Sequence, residues 1–414
     1  MGIILFEDGK VADLAPATLT RPAAMIPCGG YQLAELVQSL GVPLLHATRP
    51  HLRGTVPNVC GESIHFEDSE FVLILNARCV PSIGTLRALA EWWATKEVGR
   101  VIHEGTLVAA LIPADALGQW DFDPQSLAAL PDFDSTPVRE LTLPLLDHPH
   151  EIIQYHLELL ADNLAHRLQQ GNYTEAAAGT YLGPAATIHP SATVDASEGI
   201  ILLEPGATVG PYSYLRGPLH LGPESVVLPH ASIGTHVAAE NNCKLGGEVS
   251  CSVISSYSNK AHFGFLGHSY LGSWVNLGAG TTNSNLKNTY GEVSVQSGTQ
   301  RVATGMQFLG CLIGDYTKTA IQTGILTGKM VGICNMLYGT VAENVPSFVN
   351  YAKQFGKVTA VSAEVAATIQ QRTYARRGRT QNQADRQLLL DLYDLTQPER
   401  SRFAANLPVE PLVL

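Results

Sequence analysis

The chain has 414 residues, of which 45% are hydrophobic and 15% charged, and its formal net charge is -11. That length exceeds one ordinary core, so two or three domains are expected. The acidic balance sets aside general nucleic-acid binding, because no basic field gathers phosphates. No apolar run reaches the ~18 residues of a membrane span.

Residues 1–147 read as an α/β domain. Residues 2–6 form a short buried strand and 71–75 another, with the β-branched and aromatic content of a parallel sheet. Leu86, Leu89 and Trp93 step by three and four, which predicts a helix over 85–95, and 107–112 reads as a further strand. Alternating elements favour a sheet with helices on its faces. Residues 148–182 connect the domains through an amphipathic helix whose apolar positions are Ile153, Leu157, Leu160, Leu164 and Leu168.

From 183 to 345 the pattern changes period. Val209-Gly210, Leu221-Gly222, Ile233-Gly234 and Leu245-Gly246 recur at twice six residues, with Leu215 and Val227 in the same phase between them. Neither a strand nor an α-helix gives that spacing, whereas a solenoid of six-residue repeats does. Leu271-Gly272, Leu277-Gly278, Ile313-Gly314 and Val331-Gly332 carry it on, and a polar stretch over 282–305 is expected to leave the coil as a loop. Residues 346–414 read as a helical extension, with capping boxes expected at Thr380–Gln383 and Thr396–Glu399. The basic run Arg372, Arg376, Arg377 and Arg379 within it reads as a solvated helix face. The seven cysteines contain no C-x-x-C pair, Glu7 and Asp8 come too early for a signal peptide, and Phe6 spoils a myristoylation pattern. Free thiols in the cytoplasm are expected.

Two stretches carry a resemblance. One is Gly246-Gly247-Glu248-Val249-Ser250 followed by Tyr257-Ser258-Asn259-Lys260-Ala261-His262. The other is Asn276-Leu277-Gly278-Ala279-Gly280-Thr281 with Ser284-Asn285-Leu286-Lys287-Asn288. Near the start, Phe6-Glu7-Asp8, Leu19-Thr20-Arg21-Pro22 and Asn76-Ala77-Arg78 add a weaker match. With these residues, and with the order of α/β domain, connecting helix and left-handed parallel β-helix, the chain resembles a family of bifunctional enzymes. These are the N-acetylglucosamine-1-phosphate uridylyltransferase/glucosamine-1-phosphate acetyltransferases, and the likeness is greatest to their sugar nucleotidyltransferase branch. The resemblance does not place the last ~60 residues.

The resemblance implies acyl transfer on the β-helix from acetyl-CoA to a sugar phosphate. His262 matches the general base, and an imidazole suits that role near neutral pH. Arg216 and Lys244 match substrate-binding cations, and a guanidinium fork fits phosphate oxygens. Asn276 and Asn285 match asparagines lining the sugar site, and Ala279 matches a residue whose backbone touches the acyl donor. The bland alternatives are a buried structural histidine, a surface arginine and an asparagine ladder. Phe265 stands where the family has a tyrosine, which removes one hydroxyl from the site. His268, one hexad after His262, reads as a repeated surface position. A zinc site like that of the γ-class carbonic anhydrases, which share this solenoid, is not expected. His230, His236, His262 and His268 pair at six-residue steps that do not suit it, and no resident metal is assigned to the β-helix.

For the amino-terminal domain the resemblance implies nucleotidyl transfer to a sugar-1-phosphate from a nucleoside triphosphate, with Mg²⁺. The residues depart from the pattern. No Gly-rich phosphate loop follows the first strand, and Arg21 resembles only its end. Asn76 replaces the metal-binding aspartate. Asp8, Arg21 and Asn76 are the nucleotide-binding candidates, with Glu7 able to add charge. The expected assembly is a homotrimer, since a sparse set of site residues calls for a neighbouring coil. Two other readings stay open: a non-catalytic trimeric scaffold or sensor that binds a nucleotide sugar, and an acetyltransferase alone.

Overall fold

The computed structural model describes residues 2–59, 69–117, 135–297, 300–404 and 407–409. It divides into two compact units, Met1–Leu14 with Thr20–Ile26 and Tyr31–Asp147, and Ala15–Leu19 with Pro27–Gly30 and His148–Leu414.

Among the described residues the first unit is built on five strands: β1 (Gly2–Phe6), β2 (Leu44–Ala47), β3 (Phe71–Asn76), β4 (Gly99–His103) and β5 (Thr106–Pro113). They lie in the order β2-β1-β3-β5-β4. β1 pairs in parallel with β2 and β3, which explains why β1 is an unbroken apolar run buried throughout. β5 runs antiparallel to both β3 and β4, so the sheet is mixed. Glu104 and Gly105, both at positive φ, turn the chain between β4 and β5 in the manner of a two-residue hairpin. Among the described residues two α-helices accompany the sheet, α1 (Leu33–Gln38) and α2 (Ile83–Thr95). The Ser82 side chain caps α2 by accepting from the Thr85 amide at 2.9 Å. Within α2 it is Trp92, and not the expected Trp93, that is buried. Ile83, Leu86, Leu89 and Trp92 keep a step of three, and that row of the helix faces inward.

The second unit is a parallel solenoid of three faces. The first carries strands such as Ile201–Leu203, Leu219–Leu221, Val237–Ala239 and Ser252–Ile254. On the second lie Val226–Val227, Lys244–Leu245 and Asn259–Lys260, and on the third Tyr214–Arg216, Ser232–Ile233, Glu248–Ser250 and Phe265–Gly267. Ile201, Leu219 and Val237 stand in register, eighteen residues or three hexads apart. Val209, Leu215, Leu221, Val227, Ile233 and Leu245 all point into one buried core. The stretch expected as a plain loop is more ordered than that. Thr282–Asn283 pairs in parallel with Gly324–Ile325, and the excursion that follows contains an antiparallel hairpin, Ser294–Ser297 with Gln300–Ala303.

The connecting helix α3 (Glu151–Gln170) packs Leu160 and Leu164 on Leu202 and Ala238 of the first face. Beside that contact Glu204 binds the Tyr173 hydroxyl at 2.8 Å and His220 at 3.1 Å. His156 lies wholly inside, its Nε2 donating to the His236 carbonyl at 2.9 Å. Burial disfavours its charged form and lowers its pKa to about 4. The unfolded chain therefore takes up a proton between pH ~6.5 and ~4 that the folded chain refuses. Stability from His156 is complete above that window and is lost as pH falls through it, by roughly 2 kcal/mol between pH 7 and pH 5. Urea midpoints at the two pH values check this: His156→Gln, which keeps an N–H donor, should narrow the gap between them.

After the last coils the chain forms α4 (Ala363–Ala375), α5 (Gln383–Leu395) and α6 (Gln397–Phe403). The capping box of α5 uses Asn382 and Asp385, two residues on from the expected alignment. No box opens α6, because the Thr396 hydroxyl donates back to the Leu392 carbonyl.

Candidate functional site

At the corners between the second and third faces the chain usually spends four residues, as at 210–213 and 228–231. One coil before His262 it spends only two, Gly246 and Gly247. Gly247 takes φ +68°, and a Cβ there would lie 2.6 Å from the His262 carbonyl oxygen and 2.9 Å from Lys260 Nζ. A Cβ on Gly246 would come within 2.3 Å of the Ala261 oxygen. The glycines thus let one coil settle closely on the next, and the regular corner at 261–264 stands beyond the shortened one.

Lys260 explains how that corner is held. It occupies the register of Leu245, an interior position, and is 1% exposed. Its ammonium donates to the Gly246 carbonyl at 2.9 Å and the His262 carbonyl at 2.5 Å. Loss of water around this group lowers its pKa to about 8. From the other side, the Gly280 amide donates to the Phe263 carbonyl at 3.1 Å. Gly264, at φ +116°, passes so close to Thr281 that a Cβ would lie 2.1 Å from its carbonyl oxygen. The backbone is fixed on both sides while the His262 ring is exposed and Phe263 beside it is 62% exposed. A presented imidazole on an immobilised backbone suits proton transfer to or from a bound molecule.

The other expected site residues fall into three places. Ala279 lies on the next coil at the same corner as His262, and its carbonyl accepts from the Gln322 amide at 2.7 Å. Lys244 and Asn276 belong to a single ladder on the second face, running Lys244, Asn259, Asn276, Lys318. Lys244 is exposed, whereas Asn276 accepts from Asn259 Nδ2 at 3.3 Å. Asn259 is bound in turn by Arg377 at 2.7 Å. Asn285 sits at the far edge of the third face against His268. Arg216 shares the third face but lies three strands from Phe265–Gly267, roughly 14 Å at ordinary strand spacing. Its guanidinium is engaged by Glu198 at 2.5 Å and by Asp195 at 3.6 Å. His262 and Ala279 are therefore brought together, Lys244 flanks them, and Arg216 stands apart.

The basic run of the extension is not a uniformly solvated face. Tyr257 stacks on Trp274 at 4.2 Å, and Tyr374 of α4 meets Trp274 at 4.6 Å. Arg379 donates to the Tyr257 hydroxyl at 2.6 Å, and Arg377 reaches the asparagine ladder. Arg372 and Arg376 remain exposed. The extension is thus pinned on the second face beside Asn276. Sequence reasoning missed this, although aromatic residues seventeen apart at 257 and 274 are one coil apart and were a usable signal.

In the first unit the strand-end carboxylates are already occupied. Glu7 is buried and accepts from Thr48 Oγ1 (2.6 Å), Arg49 Nε (3.0 Å) and the Ala23 amide (2.9 Å). Asp8 accepts from Arg78 Nε (2.8 Å) and Nη2 (2.7 Å) and from Asn76 Nδ2 (2.9 Å). Burial would raise both acids, but the arginine partners outweigh it and hold both below their ordinary values. Asn76 is fully buried: its Nδ2 also donates to the Leu107 carbonyl and its Oδ1 accepts from the Arg78 amide. Arg21, partly buried, receives Arg49 Nη2 on its carbonyl at 3.1 Å. Asp8 and Asn76 therefore bind each other and Arg78, which differs from the expected nucleotide contacts. An amide nitrogen and two arginine-bound carboxylates do not fit a divalent cation. Among the described residues no group of three or more His, Cys, Asp or Glu is placed to hold a metal ion.

Residues 3–171 match the model of the family described as sugar nucleotidyl transferase. A curated bifunctional sugar-1-phosphate nucleotidylyltransferase/acetyltransferase from Sulfurisphaera tokodaii is 33% identical over 135 residues, covering 33% of this chain and 30% of that protein. The bifunctional protein GlmU of a Cyanothece species is 29% identical over 184 residues, covering 42% and 33%. The chain matches about a third of the length of these curated relatives. Among solved structures, the UDP-N-acetylglucosamine acyltransferase of Francisella novicida aligns at 17% identity over 48% of this chain and 74% of its own. Its TM-score of 0.19 is too low to bear on the site.

Proposed function

We propose that this chain is a transferase of sugar-nucleotide biosynthesis whose solenoid passes an acyl group from acetyl-CoA to an amino sugar phosphate. The observation that carries the reading is the corner at 261–264, where buried Lys260 and the Gly280 amide fix the backbone and leave the His262 ring exposed. In the proposed step the acceptor's nitrogen attacks the thioester carbonyl and the C–S bond breaks. His262 takes the proton from that nitrogen and returns it to the departing thiolate. Ala279, at the same corner, is the backbone contact proposed for the donor. Lys244 is the cation proposed for the acceptor phosphate. Arg216 is a weaker candidate because two carboxylates already hold it.

For the first unit we favour ligand binding without turnover. The match over residues 3–171 supports a nucleotidyltransferase fold. The engagement of Glu7 by Arg49 and of Asp8 by Arg78 argues against Mg²⁺-dependent chemistry there. A nucleotide sugar or a nucleoside triphosphate is its proposed ligand, and an acetyltransferase with a binding domain is the form this gives the whole chain.

A homotrimer in the cytoplasm is proposed as the working state. Phe263 and, two coils on, Ile321 and Leu326 are exposed apolar residues and would be covered by a neighbour. Light scattering should give a mass of three chains at micromolar concentration, and a monomer would defeat this. Cys28, Cys79, Cys243, Cys251, Cys311 and Cys334 carry free thiols, which fits a reducing compartment. No helix among the described residues is long and apolar enough to cross a membrane.

The test of function is incubation of the full chain with acetyl-CoA and a panel of amino sugar phosphates, followed by thiol release. A second arm supplies nucleoside triphosphates, sugar-1-phosphates and Mg²⁺ and follows pyrophosphate. The reading expects turnover in the first arm and none in the second. Pyrophosphate release at ordinary enzyme rates, about 1–10³ s⁻¹, would restore the fully bifunctional reading.

A further inference from the structure

His268 directly follows the strand Phe265–Gly267, at the opposite end of it from His262. Asn285, from the next coil, brings Nδ2 to 2.9 Å from His268 Nδ1. An amide nitrogen only donates, so Nδ1 accepts, and in the neutral ring the proton sits on Nε2. Phe308 stacks on the imidazole with ring centroids 5.4 Å apart and is itself 41% exposed. The strand brings a further aromatic to the same place: a Cβ on Gly267 would lie 2.3 Å from Phe265 Cζ and 3.0 Å from Asn285 Nδ2. His268 is partly buried, and Nε2 has no hydrogen-bond partner among the described residues. Tautomer and ring plane are both fixed, with the donor left over.

We propose that His268 is a second substrate-binding residue, which donates from Nε2 to an uncharged oxygen of the acyl acceptor, a hydroxyl or an amide carbonyl. Asn285 then acts through His268 as a positioning residue, and Phe308 sets the ring plane. The proposal rests on the reading of His262 as the base. A neutral N–H suits an uncharged oxygen, whereas a phosphate would draw a cation. Burial, with a smaller contribution from His236, lowers the pKa of His268 to about 4, so the ring is neutral at pH 7. With Nδ1 occupied and its basicity reduced, it is no second general base. The two histidines therefore differ in role: one moves the proton and the other selects the acceptor.

The experiment compares kcat and KM for glucosamine 1-phosphate at saturating acetyl-CoA in the parent, His262→Ala, His268→Leu, His268→Gln and Asn285→Ala, with thermal midpoints alongside. His268→Leu should raise KM about tenfold, the loss of one hydrogen bond to a buried polar group, with kcat within about threefold. His268→Gln, which offers an amide N–H, should recover most of that loss, and Asn285→Ala should fall between. A parental KM in His268→Leu overturns the proposal and leaves the role of His262 intact. So does a loss that His268→Gln fails to recover and that comes with a lowered midpoint, the mark of a structural role. A parent inactive with this pair, or a His262→Ala variant as fast as the parent, overturns instead the reading on which the proposal rests.

Discussion

Replacement of His262 by alanine should lower kcat for acyl transfer by about 10²–10⁴-fold, the range a general base supplies, with little change in thermal midpoint. The side chain is exposed and only its backbone carbonyl is used by the fold, so its removal leaves no cavity and no unpaired buried group. Lys260→Met is the companion variant. It keeps an unbranched apolar stem in the interior register of Leu245 but strips two backbone carbonyls, Gly246 and His262, of their donor. If the lysine holds the corner, kcat falls here as well and the midpoint moves with it. Equal kcat in His262→Ala and the parent, measured by thiol release, would sink the assignment of the base.

The solenoid was readable because its interior is periodic. Val209, Leu215, Leu221, Val227 and Ile233 fill equivalent positions on successive faces, and only a six-residue step puts them there. The same regularity makes Lys260 conspicuous, since an ammonium at a leucine register needs carbonyl partners. What the period does not encode is where chemistry-bearing side chains turn next. Asn276 and Asn285 look alike in the sequence. One joins a ladder pinned by Arg377 and the other orients His268. Those outcomes depend on residues a coil or more than a hundred positions away. The extension was opaque for the same reason: Arg377 and Arg379 find Asn259 and the Tyr257 ring only once the coils stack those aromatics. In the first unit the missing phosphate loop and Asn76 were visible as departures. The arginines that occupy Glu7 and Asp8 were not, because Arg49 and Arg78 lie about forty and seventy residues from their partners.

Removal of Arg78 should be among the most destabilising single changes in the first unit. Its side chain is fully buried and forks onto Asp8, while Nη1 reaches the Leu146 carbonyl and Asp147, each at 2.7 Å. Arg78→Met keeps much of the volume and deletes every donor. Asp8 would then be left with Asn76 and the Lys10 amide as its partners, and the Leu146 carbonyl would lose its partner inside the unit. Breaking a buried pair from one side typically costs 3–5 kcal/mol. Asp147 is half-exposed and regains water, so the lower end, about 3 kcal/mol, is the expectation. Arg78→Lys keeps the charge but cannot span the fork, and should lose less. Asp8→Asn combined with Arg78→Met removes the stranded charge and should recover part of the loss, which a pure packing defect would not allow. Urea unfolding of the full chain, followed by proteolysis within residues 1–147, measures all three. A loss below about 1 kcal/mol in Arg78→Met would mean that water already screens this pair as it does at a surface. The capture of Asp8 would then be too weak to explain why the first unit should lack a metal.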